Sequence, residues 1–287
     1  VLTVGSLFTG CMGLDLGLEA TGAFRVVWAC ESDKACRRII ARHRPELDVV
    51  DDVRTLDFVD LVDVLVGGFP CQDVSDAGPR VGLDGEQSSL WRTMAATVRL
   101  LRPRLVLVEN VPGLATRGFG RVLYDLAAER YVGRWLRLRS SDVGAPHRRE
   151  RLFVLARDAS PDARRVARPP TDERDSRPAP GSEPQARRRP GPTLDRAARS
   201  SGDLADWGPY APAIGRWELE LGRPVPRPID DRGRLEPGFV EWLLGFPDEW
   251  TAGEPRTSRL RMLGNSVQVQ VAELAGRLLL DELEATA

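Results

Sequence analysis

The chain is short of the groups that bind metals or carry hydrolytic triads. Its 287 residues include two histidines, His43 and His147, and four cysteines, Cys11, Cys30, Cys36 and Cys71. Two imidazoles are too few for a His-rich metal site and make a Ser-His-Asp hydrolase hard to assemble, so no metal is expected. The cysteines show neither disulfide-framework nor zinc-type spacing. Lysine is nearly absent: Lys34 is the only one among 41 basic residues. A GC-rich coding bias is a sufficient account of so much arginine, and the net charge of −1 does not by itself point to a polyanionic partner. No apolar run approaches the roughly 20 residues needed to span a bilayer, and no charged-then-apolar leader opens the sequence. No membrane association and a cytoplasmic location are therefore expected.

What is present, 42% hydrophobic and 29% charged residues, is the balance of a globular protein long enough for one large domain or a large and a small one. Short apolar runs at 1–8, 24–30, 62–67, 105–109, 133–139 and 152–155 read as strands. Amphipathic stretches at 14–21, 34–43, 89–101 and 122–129 read as helices between them. This alternation predicts an α/β fold with a mostly parallel sheet covered on both faces. From 158 to 203 the composition shifts to Arg, Pro, Ser, Asp and Gly without aliphatic periodicity, as in a flexible solvated insertion. Ordered structure resumes around Trp207, Trp217 and Trp242, and a final helix is expected over 267–283.

Chemistry-bearing residues stand where these strands end. Pro70-Cys71-Gln72 follows the apolar run 61–69, which puts a cysteine on the loop leaving a buried strand. Such a thiol, taken alone, is either a small buried hydrophobe or a nucleophile. Phe8-Thr9-Gly10-Cys11-Met12-Gly13 joins the first strand to a helix through glycines, a turn that lets backbone approach a nucleotide-like cofactor beyond the strands' carboxyl ends. Glu31 closes the second strand, where a ribose needs a carboxylate for its two hydroxyls. Asp52, with Val53 beside it, ends the next apolar segment in place for an adenine amino group. The glycine pattern falls short of a dinucleotide fingerprint, which favours S-adenosylmethionine over NAD. Glu109-Asn110-Val111 ends another strand. His147-Arg148-Arg149-Glu150-Arg151 runs into the last, with Arg149 and Arg151 two apart and hence on one strand face.

Together, in this order, the pieces resemble the DNA cytosine-5 methyltransferase family, over residues 1 to about 156 and 259 to about 280. The resemblance implies a Rossmann-like, S-adenosylmethionine-dependent catalytic domain at 1–157. It also implies a smaller, partly irregular target-recognition region at 158–258, with a flexible Arg/Pro-rich part at 160–203, and a segment at 259–287 that returns to complete the catalytic domain. Phe8 would stack on adenine; Gly10, Cys11 and Gly13 would line the methionine moiety; and Leu90, Asn265 and Ser266 would close the pocket. Thr9, Val53, Gly68 and Pro70 join this cofactor-binding set. Met12 stands where the family usually has a second glycine, bringing a side chain to a turn where backbone approaches the cofactor.

The implied reaction begins with the Cys71 thiolate adding to C6 of cytosine, because C5 is too electron-poor to take a methyl group unaided. Glu109 would supply a proton at N3, which requires a pKa raised by burial. By the same resemblance Arg149 would reach the cytosine O2 and Arg151 would hold the cysteine loop. Asn110 would fix the Pro70 carbonyl region, and Pro70 would stiffen the approach of Cys71. The target base must be flipped out of double-stranded DNA, and the loop at 73–83 has the length and polarity to close over it. Gln72, Ser75, Arg80 and Arg149 are the expected DNA contacts. Gln87 and His147 replace an Arg and a Gln common in relatives. A monomer is expected, possibly with a cognate restriction endonuclease, as a restriction partner, a solitary bacterial enzyme or a phage-encoded protection. The alternatives are a noncatalytic DNA-binding relative, the tRNA-methylating branch, whose Cys-Phe-Thr segment is missing here, and a nicotinamide-dependent oxidoreductase.

Overall fold

The computed structural model describes residues 1–56, 59–70, 89–116, 118–160 and 204–284. Among these residues the chain forms a seven-stranded sheet in the order β3-β2-β1-β4-β5-β7-β6. The strands are β1 (Leu2–Leu7), β2 (Phe24–Cys30), β3 (Asp48–Val50), β4 (Val64–Gly67), β5 (Leu105–Asn110), β6 (Tyr131–Arg139) and β7 (Glu150–Asp158). Strands β1 to β5 pair in parallel, whereas β7 runs antiparallel to both β5 and β6. The expected α/β, mostly parallel sheet is present, with one reversed strand near its edge.

Alternation along each strand feeds two cores, one on each face of the sheet. Val64, Val66, Leu105, Leu107, Phe153 and Leu155 point to one face, where α1 (Gly13–Ala20), α2 (Lys34–His43) and α8 (Val269–Glu284) cover them. Leu65, Val106, Val108, Leu152 and Val154 point to the other, against α3 (Ser89–Leu101) and α4 (Phe119–Ala128). A Cβ on Gly5 would lie 2.1 Å from the Trp28 ring, so only glycine admits that indole beside β1.

The strand at 62–67 starts later than its apolar run. Asp63 turns its carboxylate onto β1, accepting from Thr3 N and Thr3 Oγ1 at 2.9 Å each, which takes that residue out of the ladder. The expected strand at 152–155 extends at both ends, because pairing with β5 on one side and β6 on the other satisfies its backbone through Asp158. The edge strand β3 was not anticipated; it is three residues long and has an exposed Asp48.

Residues 204–243 carry a small core of their own, in which Ile214 and Trp217 of α5 (Ala211–Leu221) bury against Trp242 of α6 (Pro237–Leu243). Trp217 Nε1 donates to the Trp242 carbonyl at 3.0 Å. The chain then returns through α7 (Arg256–Asn265), which straddles the boundary expected at 258. Helix α8 packs on α1 so closely that a Cβ on Gly17 would lie 2.3 Å from the Val269 carbonyl. That contact brings the turn between α7 and α8 to the carboxyl edge of the sheet.

Candidate functional site

A cavity of about 410 Å³ opens at the carboxyl ends of β1, β2, β4 and β5, within the range of small-molecule sites. Its walls come from the glycine turn after β1, Glu31 after β2, residues 68–70 after β4, Glu109–Val111 after β5, Arg151 on β7, and residues 264–267. The position beyond the strands, beside a glycine turn, is where such sheets bind ligands.

The turn is strained. Phe8 (φ 55) and Met12 (φ 72) both adopt left-handed backbone, a conformation that costs a non-glycine residue on the order of 1–3 kcal/mol. Two anchors hold it. The Glu31 carboxylate accepts from Gly10 N at 2.6 Å with one oxygen and from Asp33 N at 2.7 Å with the other. From the opposite side Trp250 Nε1 donates to the Cys11 carbonyl at 2.8 Å, its ring stacked on His43. Met12 is fully buried in the core and stays out of the cavity wall, so its side chain does not obstruct the turn. Gly13 meets a real steric demand: a Cβ there would stand 2.2 Å from Ser266 Oγ and 2.5 Å from the Val267 carbonyl.

At the other end the cavity wall carries Glu109. Its side chain is 12% exposed, and Arg151 Nε contacts its Oε1 at 2.7 Å. Burial pushes the Glu109 carboxyl above its ordinary range, against the pull of Arg151 and Arg149. Gly68 makes room for it, since a Cβ there would lie 2.6 Å from Glu109 Oε2. Buried Asn110 donates to the Phe69 carbonyl at 3.0 Å and accepts from Val111 N at 2.9 Å. It thereby pins the backbone that leads into Pro70, one residue ahead of the carbonyl expected.

The structure separates the two arginines. Arg151 lines the cavity beside Glu109, while Arg149 turns its guanidinium to the Gly264 and Ser266 carbonyls, the latter at 2.6 Å. The physical reason is that β7 begins at Glu150. Arg149 precedes the strand, and the two-residue alternation does not govern it.

Phe8, Thr9, Gly10, Gly13, Glu31, Gly68, Pro70, Asn265 and Ser266 all line the cavity. Cys11 lies behind the wall, wholly buried, its thiol pushed up to about 12 by burial. Asp52 stands outside the wall: it caps the turn at 53–55 and pairs with Arg54 at 2.8 Å, which holds its carboxyl below the usual range. Val53 and Leu90 pack in the core on the second face. Cys71, Gln72, Ser75, Arg80, Gln87, the loop at 73–83 and the segment 161–203 lie outside the described residues. Among the described cysteines Cys30 is also pushed up to about 12, and Cys36 higher still. All three described thiols are therefore protonated at neutral pH.

Among the cavity residues that the sequence reading did not assign are Arg261, Asp33 and Asp15. Arg261 pairs with Asp33 at 2.6 Å, joining α7 to the cap of α2, and both line the cavity. Asp15 is wholly buried on α1. Its signal was present, since it shares the helix face of Leu14 and Leu18, where an acidic residue is out of place.

The fold and the site together define a class, α/β proteins with a ligand cavity at the carboxyl edge of a mixed seven-stranded sheet. The chain belongs to the C-5 cytosine-specific DNA methylase family, whose model matches residues 2–187. It is 36% identical over 167 residues to the type II methyltransferase M.Eco47II of Escherichia coli, covering 54% of this chain and 39% of that protein. It is 27% identical over 305 residues to M2.BsuMI of Bacillus subtilis, covering 96% and 74%. M.Bsp6I from a Bacillus strain is 34% identical over 52% of its own length, so the chain matches about half or less of some of these relatives. A putative DNA modification methyltransferase encoded within an E. coli prophage has the same fold, with a TM-score of 0.64 at 21% identity over 99% of this chain and 100% of that one. Dnmt2 of S. pombe is similar at a TM-score of 0.62 and 16% identity, covering 99% of each chain. No helix among the described residues is long and apolar enough to cross a membrane.

Proposed function

We propose that the chain transfers a methyl group from S-adenosylmethionine to C5 of cytosine in double-stranded DNA. The observation that carries this reading is Glu109, a buried carboxyl held against Arg151 at one end of the cavity, in a chain of this family.

The residues present fit the methyl donor. Glu31 retains lone pairs toward the cavity for the ribose diol, and the Phe8 ring borders the turn. When bound, the donor supplies an electrophilic methyl group on sulfonium sulfur. The rest falls to this chain's own residues. The Cys71 thiolate forms a bond to C6 of the flipped base, while Glu109, whose pKa burial raises, delivers a proton to N3 and cancels the charge that addition creates. C5 then acts as the carbon nucleophile. After transfer, loss of the C5 proton to a base expels the Cys71 thiolate and restores the aromatic ring, and N3 returns its proton to Glu109. Arg151, which lines the cavity beside Glu109, orients that carboxyl and takes the contact to O2 first assigned to Arg149. Arg149 braces the turn at 264–266. Asn110 fixes the backbone approaching Pro70 and Cys71.

On this reading 1–157 and 259–287 form the catalytic domain and 158–258 reads the target sequence, with Gln72, Ser75 and Arg80 touching DNA. Likeness to type II methyltransferases supports a protective role beside a restriction endonuclease. The test is incubation with labelled S-adenosylmethionine and unmethylated DNA, with tRNA as a parallel substrate, followed by base-resolution mapping. Methylcytosine in one DNA context, abolished by Cys71→Ala, is the expected result. Transfer surviving Cys71→Ala overturns the mechanism, and DNA binding without any transfer makes the chain a noncatalytic relative.

A further inference from the structure

The loop between β2 and α2, residues 31–33, is anchored from two sides. From within α2, Arg37 donates to the Glu31 carbonyl at 3.1 Å and to the Ser32 carbonyl at 3.0 Å. From 228 residues further along the chain, Arg261 of α7 donates to Asp33 Oδ2 at 2.6 Å. The other oxygen of Asp33 caps α2, accepting from Ala35 N at 2.8 Å and from Cys36 N at 3.0 Å. With both oxygens engaged, the Asp33 side chain fixes its own backbone, and that backbone N–H donates to Glu31 Oε1 at 2.7 Å. A chain of hydrogen bonds thus runs from Arg261 through Asp33 to the carboxylate of Glu31, whose second oxygen holds Gly10 N.

A well-exposed ion pair usually contributes little to stability, and the Arg261 side chain is 54% exposed. Its place is what sets it apart. Glu31, Asp33 and Arg261 line one cavity, together with Asn265 and Ser266 at the end of α7. The pair therefore ties the wall built after β2 to the wall built by α7, beside the Glu31 carboxylate. A carboxylate that must meet two neighbouring hydroxyls at once has to be held in one orientation, because rotating it lifts one of the two contacts; supporting hydrogen bonds supply that hold.

We infer that Arg261 is a positioning residue for the methyl donor's ribose, acting through Asp33 to fix the orientation in which Glu31 meets the two hydroxyls. This rests on the reading that the cavity holds S-adenosylmethionine with its ribose at Glu31.

The experiment is calorimetric titration of the full chain with S-adenosylhomocysteine and with its 2′-deoxy analogue, which lacks one of the two hydroxyls. The native chain should bind the ribose form roughly 10- to 100-fold more tightly, the span expected of a charge-assisted hydrogen bond. Arg261→Gln should shrink that preference by about 3- to 10-fold, with affinity for the 2′-deoxy analogue nearly unchanged. Asp33→Asn, which keeps the cap on α2, should do the same, and the double variant should lose no more than either single one. Arg261→Lys, which keeps the charge, should restore most of the preference. Equal weakening of both ligands in Arg261→Gln overturns the inference, since that marks a structural role, and so does an undiminished preference. If the native chain does not favour the ribose form, the assignment of Glu31 to the diol falls and the inference with it. If it binds neither ligand, the cofactor reading itself falls, and both with it.

Discussion

The two ends of the cavity solve the problem of a buried acid differently. Where β4, β5 and β7 meet, Glu109 has a guanidinium at 2.7 Å and a glycine cut away to fit it. Where β1 and β2 meet α1, Glu31 is satisfied by backbone, while Asp15 is wholly buried with only the Ser6 hydroxyl and its own N–H to lower a pKa that burial raises. The Glu109 end is electrostatically complete within the chain and is poised to move a proton. The Asp15 end borders the glycine turn proposed to hold the methyl donor, and burial raises its carboxyl's pKa. An enzyme that must bind one molecule and act on another has reason to separate these tasks, because groups that bind tightly are poor proton carriers and the reverse.

Changes at the Glu109 end should therefore remove transfer and leave ligand binding intact. Glu109→Gln is expected to slow methyl transfer by about 10²–10⁴-fold, the usual contribution of a positioned acid, with S-adenosylhomocysteine affinity unchanged by calorimetry. A parallel loss of affinity would mean that the two ends are not separable.

Asp15→Asn should instead strengthen the fold. The folded-state pKa of Asp15, about 6, lies above its ordinary 3.8. The native state thus holds more protons than the unfolded state between roughly pH 4 and 6, and stability falls as pH rises through that window. Asp15→Asn removes the penalty. The ligand-free variant should match the native chain below pH 4 and exceed it by as much as about 3 kcal/mol above pH 6, read from denaturant melts. A variant less stable at pH 7.5 would show that the hydrogen bond with Ser6 outweighs the burial of the carboxylate.

Arg149→Ala should cost about 1.5–3 kcal/mol of stability through the carbonyls of Gly264 and Ser266. Arg151→Lys should instead leave stability nearly intact and reduce transfer. If Arg149→Lys alone loses transfer at full stability, the original assignment of the two arginines returns. The smallest effect is expected at Met12. Glycine there relieves a left-handed backbone but removes a fully buried side chain, for a net loss of about 1–2 kcal/mol and no change in S-adenosylhomocysteine binding.

Much of this was legible from the chain alone. The apolar runs that form β2, α2 and α3 fall at the expected bounds, because strand and helix periods are local properties of neighbouring residues. The same locality put Glu31 and Glu109 at strand ends and hence on one edge of a parallel sheet. What the tertiary structure decided depends on residues far apart in sequence. Glycines at 13 and 17 acquire their meaning only when α8 lies across α1, and that docking brings Asn265 and Ser266 to the cavity. Arg149 and Arg151 are equivalent by spacing, and only the start of β7 and the carbonyls beyond α7 separate them. Asp15 stands out in the sequence only as an acid on an apolar helix face; which groups surround a buried charge is a fact about three-dimensional neighbours, which no linear pattern contains.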